Sequence, residues 1–331
     1  MNGAVLRKER DELAAIARAI ADPARPLTSL IAETGQLRVF VERHSRLSME
    51  PSGRMTDGES TLDSGWAISP VQAALCAREP LRTAAFVQGL ASAVSAALAQ
   101  APAQGRPVSV LYAGCGPFAL LALPLMALFS PQQVQFTLLE VHQAALDDAR
   151  ALVHDLAYQA HVAQYLCCDA ASYRIAPDAM PDVIVSETMN TALGKEPQVA
   201  IMRNLYVQAP AAALVPEAIA VHLGAARKAP DQPCADWGRI FEIDAAAILA
   251  WKDRPETFLP AASIAVPAQA GTAAKLLTRI RVRGKIVLHD YDCSLNLPLH
   301  LPGKPQLKGG ETLDFSYRLG RAPGLACVVR G

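Results

Sequence analysis

Two glutamates, Glu187 and Glu196, lie nine positions apart within the segment SETMNTALGKEP. The first follows PDVIVS, an apolar and β-branched run that predicts a buried strand. The second follows a Gly-Lys pair at the end of a short loop. Two converging carboxylates can hold a planar, permanently charged guanidinium, whose rigid fork of donors fits carboxylate oxygens. The alternative interpretation is a solvated loop on which the two acids are incidental.

A second chemical feature is the glycine-containing segment VLYAGCGPFA, residues 110–119. Gly114 and Gly116 follow a predicted strand, where glycines let the backbone approach a ligand closely. A dinucleotide-binding fingerprint would have a third glycine at position 119, where this chain has Ala119. The glycine pair alone is therefore weak evidence for a ligand, and Cys115 between them is expected to pack rather than to react.

Two more acids end the next two predicted strands. Glu140 ends FTLLE, where a carboxylate can accept both ribose hydroxyls of an adenosine. Asp169 lies in CCDA, at the position where an adenine amine would lie. Each acid alone could be an ordinary strand-end residue, but together with the glycines they predict a nucleoside site, which Val141 and Ala170 would help to line.

The elements that must position these residues alternate between strand and helix. Strand-like runs cover residues 107–114, 134–141, 162–170 and 181–187, and helical runs cover 118–129 and 144–158. This alternation predicts parallel βαβ units, and therefore an α/β fold with a doubly wound, mostly parallel sheet. Such a sheet brings the carboxyl ends of its strands, and the residues named above, to one edge.

The segments on either side of this region have different residue patterns. Residues 1–65 predict an N-terminal helical segment with helices over 4–21 and 27–47, the second broken or bent near Gly35. Residues 48–65 are rich in turn residues and form either a lid or a linker. A helical stretch follows, with Pro70 at a helix start and Pro80 imposing a break. We therefore divide the chain into 1–65, a nucleoside-binding domain over 66–216, and a β-rich domain over 217–331.

Bulk composition narrows the classes of function. Lysine plus arginine and aspartate plus glutamate both total 31, so the formal net charge is zero, which argues against non-specific binding of nucleic acid or a membrane surface. The apolar run 118–129 is too short to span a bilayer. The seven cysteines are scattered without zinc spacing, so no metal site is predicted. A cytoplasmic protein without a secretory signal is expected.

At this point the sequence resembles class I S-adenosylmethionine-dependent methyltransferases. More narrowly, DVIVSETMNTALGKEP resembles the double-glutamate loop of the protein arginine methyltransferases. LVPEAIAVHL, residues 214–223, resembles the segment that follows that loop, and CAREPLRTAAFVQGL, residues 76–90, resembles the family's N-terminal helix. The resemblance covers roughly residues 64–222. It implies that S-adenosylmethionine is the cofactor and that the C-terminal domain is barrel-like.

The resemblance also implies roles for single residues. Arg82 would bind the carboxylate of the cofactor's methionine moiety, and Glu187 would contact both cofactor and substrate. Glu187 and Glu196 would clamp a cationic substrate and aim one nitrogen at the sulfonium methyl, so that positioning supplies much of the catalysis. Met189 is expected to pack against cofactor or substrate.

The sequence departs from the family at several positions. Tyr112 stands where the family usually has aspartate, and the family's tyrosine-rich helical motif has no equivalent nearer than Trp66. The family's Thr-His-Trp loop is absent, and His300 is the substitute candidate for substrate binding. Pairing as a homodimer through an arm within residues 224–270 is a further implication.

These departures favour a small-molecule substrate. The leading hypothesis is an N-methyltransferase that acts on the guanidino or amino group of free arginine or a related amino acid in specialised metabolism. Protein arginine methylation is the first alternative. The others are methylation of another nitrogen or sulfur nucleophile on a metabolite, and a non-catalytic scaffold that binds the cofactor.

Overall fold

The computed structural model of the chain describes residues 3–48, 54–100, 105–254, 257–268 and 274–331. Two helices come first, α1 (Gly3–Ala21) and α2 (Ile31–His44), with a 3-10 turn, Leu27–Leu30, between them. The sequence predicts a helix broken or bent near Gly35, but α2 runs through this residue without a break. One glycine costs a helix only about 1 kcal/mol, and the buried face of Leu37, Phe40 and Val41 outweighs that cost.

The segment predicted as a lid or linker contains one strand of a small hairpin. Strand β1 (Ser60–Thr61) pairs antiparallel with β2 (Trp66–Ala67). Residues 49–53 of that segment lie outside the described residues. The next helix, α3 (Pro70–Leu75), begins at a capping box formed by Ser69 and Gln72, with Pro70 in its first turn as predicted.

Helix α4 (Pro80–Gln100) is the central helix of the molecule. It begins at Pro80, so the predicted break is confirmed. By length and composition alone this helix could cross a membrane, but 67% of its most apolar window is buried inside the protein. Burial on that scale is what a core helix of a folded domain requires.

The parallel sheet follows the predicted alternation. Its elements are β3 (Val108–Ala113), α5 (Ala122–Leu128), β4 (Val134–Glu140), α6 (Gln143–Asp155), β5 (Val162–Cys167), β6 (Val183–Ser186), α7 (Gln198–Gln208) and β7 (Ala213–Val215). All neighbouring strands pair in parallel, in the order β5-β4-β3-β6-β7. The chain moves outward from β3 to β5 and then returns to β6 on the other side of β3. The predicted doubly wound sheet is confirmed, and its order reverses between β3 and β6.

Helix α5 is shorter than the helix predicted over residues 118–129. The chain makes turns from Gly116 to Leu121 before the helix begins at Ala122. Gly114, Gly116 and Ala119 have positive φ angles of 73°, 61° and 42°. Such angles are incompatible with a right-handed helix, so the apolar run stays non-helical until this turn is complete.

The chain after Val215 is antiparallel throughout the part that the structure describes. Its elements are β8 (Ala218–Ala225), β9 (Ala235–Asp244), α8 (Ala245–Ala250), β10 (Phe258–Ala265), β11 (Ala274–Arg283), β12 (Ile286–Leu288), β13 (Leu299–His300), β14 (Thr312–Arg318) and β15 (Gly324–Arg330). One sheet has the order β12-β11-β8-β9, with β13 also paired to β11, and the other has the order β10-β14-β15. The predicted barrel-like domain therefore consists of two sheets, which meet where Phe241 stacks on Tyr317 at 4.7 Å between ring centroids.

Much of the described part of residues 224–270 is folded into this antiparallel region as β9, α8 and β10, while residues 226–234 form a loop. Ile248 of α8 is fully buried, and Trp251 stacks on Phe241 at 5.5 Å between ring centroids. Arg203 of α7 donates a 2.5 Å hydrogen bond to the carbonyl oxygen of Trp251. A homodimer stays a prediction.

Candidate active site

A cavity of about 280 Å³ opens at the carboxyl edge of the parallel sheet, where the strand order reverses. This edge is the usual ligand position in open α/β sheets. The sequence-predicted residues that line it are Trp66, Arg82, Gly114, Cys115, Gly116, Glu140, Val141, Asp169, Ala170, Glu187, Met189 and Glu196. The structure therefore brings these residues together, while the role of each one stays a prediction.

The turn after β3 requires glycine for two reasons at Gly114. Its φ angle is 73°, and a Cβ atom there would collide with the Cγ2 methyl of Thr188, which follows β6. Gly116 also has a positive φ, but a Cβ atom there would make an ordinary 3.7 Å contact with Ala73. Gly114 is thus the point of closest approach between the two strand ends at the switch in strand order.

Glu140 is held by backbone donors. One carboxylate oxygen accepts from the Gly116 N–H at 2.9 Å, and the other accepts from the N–H groups of Val141 at 2.9 Å and His142 at 3.1 Å. An ionised carboxylate has about four acceptor sites on its two oxygens, so one remains for an incoming hydroxyl. The bonds therefore fix the orientation of Glu140 and leave it able to bind a donor in the cavity.

The hairpin of β1 and β2 covers the same end of the cavity. Ser64 donates a 2.7 Å hydrogen bond to Asp169, whose other oxygen accepts from the Ala171 N–H at 2.8 Å. Ser60 lies 3.0 Å from Nε2 of His142. These contacts attach the hairpin to the ends of β4 and β5, so the hairpin encloses the proposed nucleoside pocket.

Arg82 lies in the cavity wall and is only 6% exposed. Its Nε donates to Glu187, and its Nη1 donates to Glu79 at 2.8 Å. A guanidinium has five N–H donors, so these two bonds leave others for a further carboxylate. Glu79 is not among the residues predicted from the sequence; it directly precedes α4, three residues before Arg82.

Glu196 is a buried carboxyl that lines the cavity with 7% of its surface exposed. No residue that the structure describes donates a hydrogen bond to its side chain. Burial raises the pKa of Glu196 to about 7, against the opposing effect of the positive charges of Arg82 and Lys195. A buried carboxyl without a donor is unfavourable unless a cation pairs with it.

Gln198 fixes the backbone on both sides of Glu187 and was also missed. This fully buried amide oxygen accepts from the N–H and hydroxyl of Thr188 at 2.8 and 3.0 Å. Its amide nitrogen donates to the Ser186 carbonyl at 3.1 Å. The sequence does not indicate this role for Gln198, because Ser186 and Thr188 are ten or more positions away and only the fold brings them to its side chain.

The loop between the two glutamates is held by the antiparallel region. Thr278 of β11 accepts a 3.0 Å hydrogen bond from the Ala192 N–H, and the buried hydroxyl of Tyr317 donates to the Leu193 carbonyl at 2.7 Å. Ala192, Leu193 and Lys195 have φ angles of 55°, 57° and 66°. Non-glycine residues with such angles are strained and persist only when their surroundings hold them.

His300 does not reach the cavity, so the prediction that it contacts substrate is corrected. It lies exposed on β13, with its Nε2 2.9 Å from Nζ of Lys275. The turn Ser294–Asn296 takes that place, and Ser294 and Leu295 line the cavity. The Ser294 N–H donates to Glu79 at 2.8 Å, and the fully buried Asn296 donates to the Thr278 carbonyl at 2.7 Å.

The chain has only weak similarity to known proteins. No protein-family model matches the chain, and no curated protein matches it. Among the solved structures similar to it is the Trypanosoma brucei PRMT1 enzyme-prozyme heterotetrameric complex with AdoHcy, with a TM-score of 0.46 and 12% sequence identity, covering 77% of this chain and 96% of that chain. Nothing about the activity of the present chain follows from similarity of this degree, and its function is assigned from its own residues.

Proposed function

We propose that the chain is an S-adenosylmethionine-dependent N-methyltransferase whose acceptor is a guanidino or amino group of a small cationic molecule. Free arginine or a related amino acid is the leading candidate. The observation that carries the proposal is Glu196, a buried carboxyl without a protein donor in the same cavity as Glu187. A ligand cation would satisfy it.

The residues at the other end of the cavity fit the cofactor. Glu140 retains an acceptor site for a ribose hydroxyl, and Asp169 is the acceptor for an adenine amine. Arg82 retains donors for the methionine carboxylate. Gly114 lines the cavity, and the absence of a side chain there lets the turn after β3 pack closely against Thr188. When bound, the cofactor supplies a methyl group on a sulfonium.

The chemistry left to the chain is positioning. Glu187 and Glu196 receive the N–H groups of the acceptor and fix the direction of one nitrogen, which supports an in-line displacement. With its pKa near 7, the Glu196 carboxyl can also take up the proton that the methylated nitrogen releases. The hairpin and the Ser294–Asn296 turn exclude water from the two reacting groups.

A small acceptor is supported by the depth of the site. The two side chains, Glu187 and Glu196, are at most 10% exposed, so the group that reaches them must enter a largely buried space. The zero net charge also provides no general attraction for basic, arginine-rich proteins.

The test is incubation of the purified chain with methyl-labelled S-adenosylmethionine and a panel of acceptors. The panel contains free arginine, other amino acids, small amines and thiols, and an arginine-rich peptide. We expect label on a free guanidine or amine. Label on the peptide alone would support protein arginine methylation. Label on a thiol would instead identify a sulfur nucleophile as the acceptor.

A panel without any labelled acceptor, in a protein that still binds S-adenosylhomocysteine, would support the non-catalytic alternative. Glu12→Gln, a surface change on α1 at a side chain 40% exposed, is the matched control for changes at the cavity glutamates.

A further inference from the structure

Lys195 lies at the rim of the cavity, directly before Glu196 in the chain. Its side chain is exposed, and its Nζ lies 5.3 Å from the centroid of the Trp66 ring, which lines the cavity. Its positive charge opposes the rise in the pKa of Glu196, so the ammonium is electrostatically coupled to that carboxyl. Lys195 therefore places a positive charge beside the opening above the two glutamates.

The backbone of Lys195 is held in a strained conformation. Its φ angle is 66°, a region that disfavours side chains with a Cβ atom. The Lys195 N–H donates to the Pro323 carbonyl at 2.9 Å, and its own carbonyl accepts from the Trp66 N–H at 2.9 Å. Glycine would relieve this strain, and the residue before it is Gly194. A lysine side chain thus occupies a position where a glycine would be less strained.

No carboxylate in the described ranges lies within ion-pair distance of Lys195. Its neighbour is the π face of Trp66, which attracts a cation but accepts no directed pair of hydrogen bonds. The three ammonium donors can therefore bind an anionic group that arrives at the rim.

Inside the cavity the charges have the opposite sign. Among the lining residues that the structure describes, Arg82 is the only lysine or arginine. It is already paired with Glu79 and Glu187, and under the proposed function its remaining donors go to the cofactor. The carboxylate of an acceptor would therefore have no unpaired cationic side chain to bind among the lining residues, whereas Lys195 is available at the rim.

We propose that Lys195, supported by Trp66, is the specificity residue that binds the carboxylate of the acceptor. This inference rests on the proposed function and narrows its substrate class. The acceptor is a zwitterion in which a short aliphatic chain joins the methylated cationic nitrogen to a carboxylate. Its nitrogen enters between Glu187 and Glu196, and its carboxylate stays at the mouth on Lys195. Cations without a carboxylate, and side chains within a peptide, lack this second contact.

The experiment compares free arginine with agmatine, which has the same guanidine but no carboxylate. Binding is measured by calorimetry with S-adenosylhomocysteine present, and methyl transfer is measured with S-adenosylmethionine. Loss of a charge-assisted hydrogen bond weakens binding by about tenfold or more. We therefore expect the unmodified chain to bind arginine about tenfold more tightly than agmatine.

Lys195→Gln should remove that preference by weakening arginine and leaving agmatine unchanged, with kcat for arginine retained. Lys195→Arg should restore the preference, and Lys275→Gln, at a half-buried lysine on β11 that does not line the cavity, is the matched control. Equal affinity of the unmodified chain for the two compounds, or an equal effect of Lys195→Gln on both, would overturn the inference while methyl transfer to either still supported the proposed function. Failure of both compounds to bind, with no acceptor of the wider panel methylated, would overturn the two together.

Discussion

The buried environment of Glu196 differs strongly from that of an exposed glutamate. Burial raises its pKa from 4.5 to about 7, so the folded chain holds a proton that the unfolded chain releases. This group therefore reduces the stability of the folded state progressively as the pH rises from about 4.5 to about 7. A bound cation would reverse that effect, because it pairs with the ionised form.

The first prediction concerns stability. Glu196→Gln removes the ionisable group but keeps its shape, so it should raise the free energy of unfolding at pH 8 by up to about 3 kcal/mol without ligand. The gain should be small at pH 5, where the carboxyl is protonated in the folded chain. Urea denaturation at both pH values measures this. A gain that does not change with pH would contradict the assigned pKa.

The second prediction concerns the pH dependence of catalysis. The clamp needs the ionised form of Glu196, so kcat/KM for a cationic acceptor should fall about tenfold per pH unit below about 7. Glu196→Gln should lower kcat/KM at neutral pH and remove this slope. Initial rates between pH 5.5 and 8.5 give both profiles. The same slope in Glu196→Gln would assign the titration to another group.

The third prediction uses the two glycines of the turn after β3. Both have positive φ, but only at Gly114 would a Cβ atom collide with Thr188. Gly114→Ala should weaken the binding of S-adenosylhomocysteine at least about tenfold more than Gly116→Ala. Calorimetry on the two variants decides this. Equal losses would show that backbone conformation, and not the contact with Thr188, matters at this turn.

The loop between the glutamates is the element that joins the two halves of the chain into one site. It begins at β6 of the parallel sheet and is held by Thr278 and Tyr317 of the antiparallel region. Because its backbone is strained, its geometry depends on those contacts more than on its own sequence.

The fourth prediction tests that dependence. Tyr317→Phe leaves the buried Leu193 carbonyl without its donor, which should cost about 1–3 kcal/mol of stability and raise the KM of the acceptor. Cofactor affinity should change less than KM, since neither Tyr317 nor Leu193 lines the cavity. Tyr165→Phe is the control, because the buried Tyr165 hydroxyl has no hydrogen-bond partner in the structure. Equal effects of the two changes would contradict the role given to Tyr317.

At the same scale, sequence patterns predicted the elements better than their ends. Apolar, β-branched runs predict four strands of the parallel sheet, β3 to β6, because strands covered on both faces tend to be apolar along their length. The fifth strand, β7, is only three residues long and is not predicted by such a run. The start of α5 lies later than the sequence predicts, because the apolar run 118–129 does not reveal the positive φ angles that Gly116 and Ala119 adopt before Ala122. The Ser294–Asn296 turn was missed because its anchor, Asn296, is indistinguishable in sequence from a surface turn residue.

At the scale of the whole molecule, the sequence predicts the change from parallel to antiparallel structure after Val215. It does not predict the contacts that pack the two regions against each other. Gly89 of α4 faces Val282 of β11 so closely that a Cβ atom would clash. The central helix thus packs against both regions, through residues far apart in the chain. Glu79, on the turn before this helix, in turn contacts both Arg82 and Ser294.

The most direct test of the account separates cofactor binding from methyl transfer. Glu196 has no donor within the described protein, so Glu196→Gln disturbs the structure less than a change at Glu187, which pairs with Arg82. We predict that Glu196→Gln binds S-adenosylhomocysteine as the unmodified chain does but transfers methyl groups to the cationic acceptor about 10–100-fold more slowly. An unchanged rate of transfer by Glu196→Gln would contradict the carboxylate clamp.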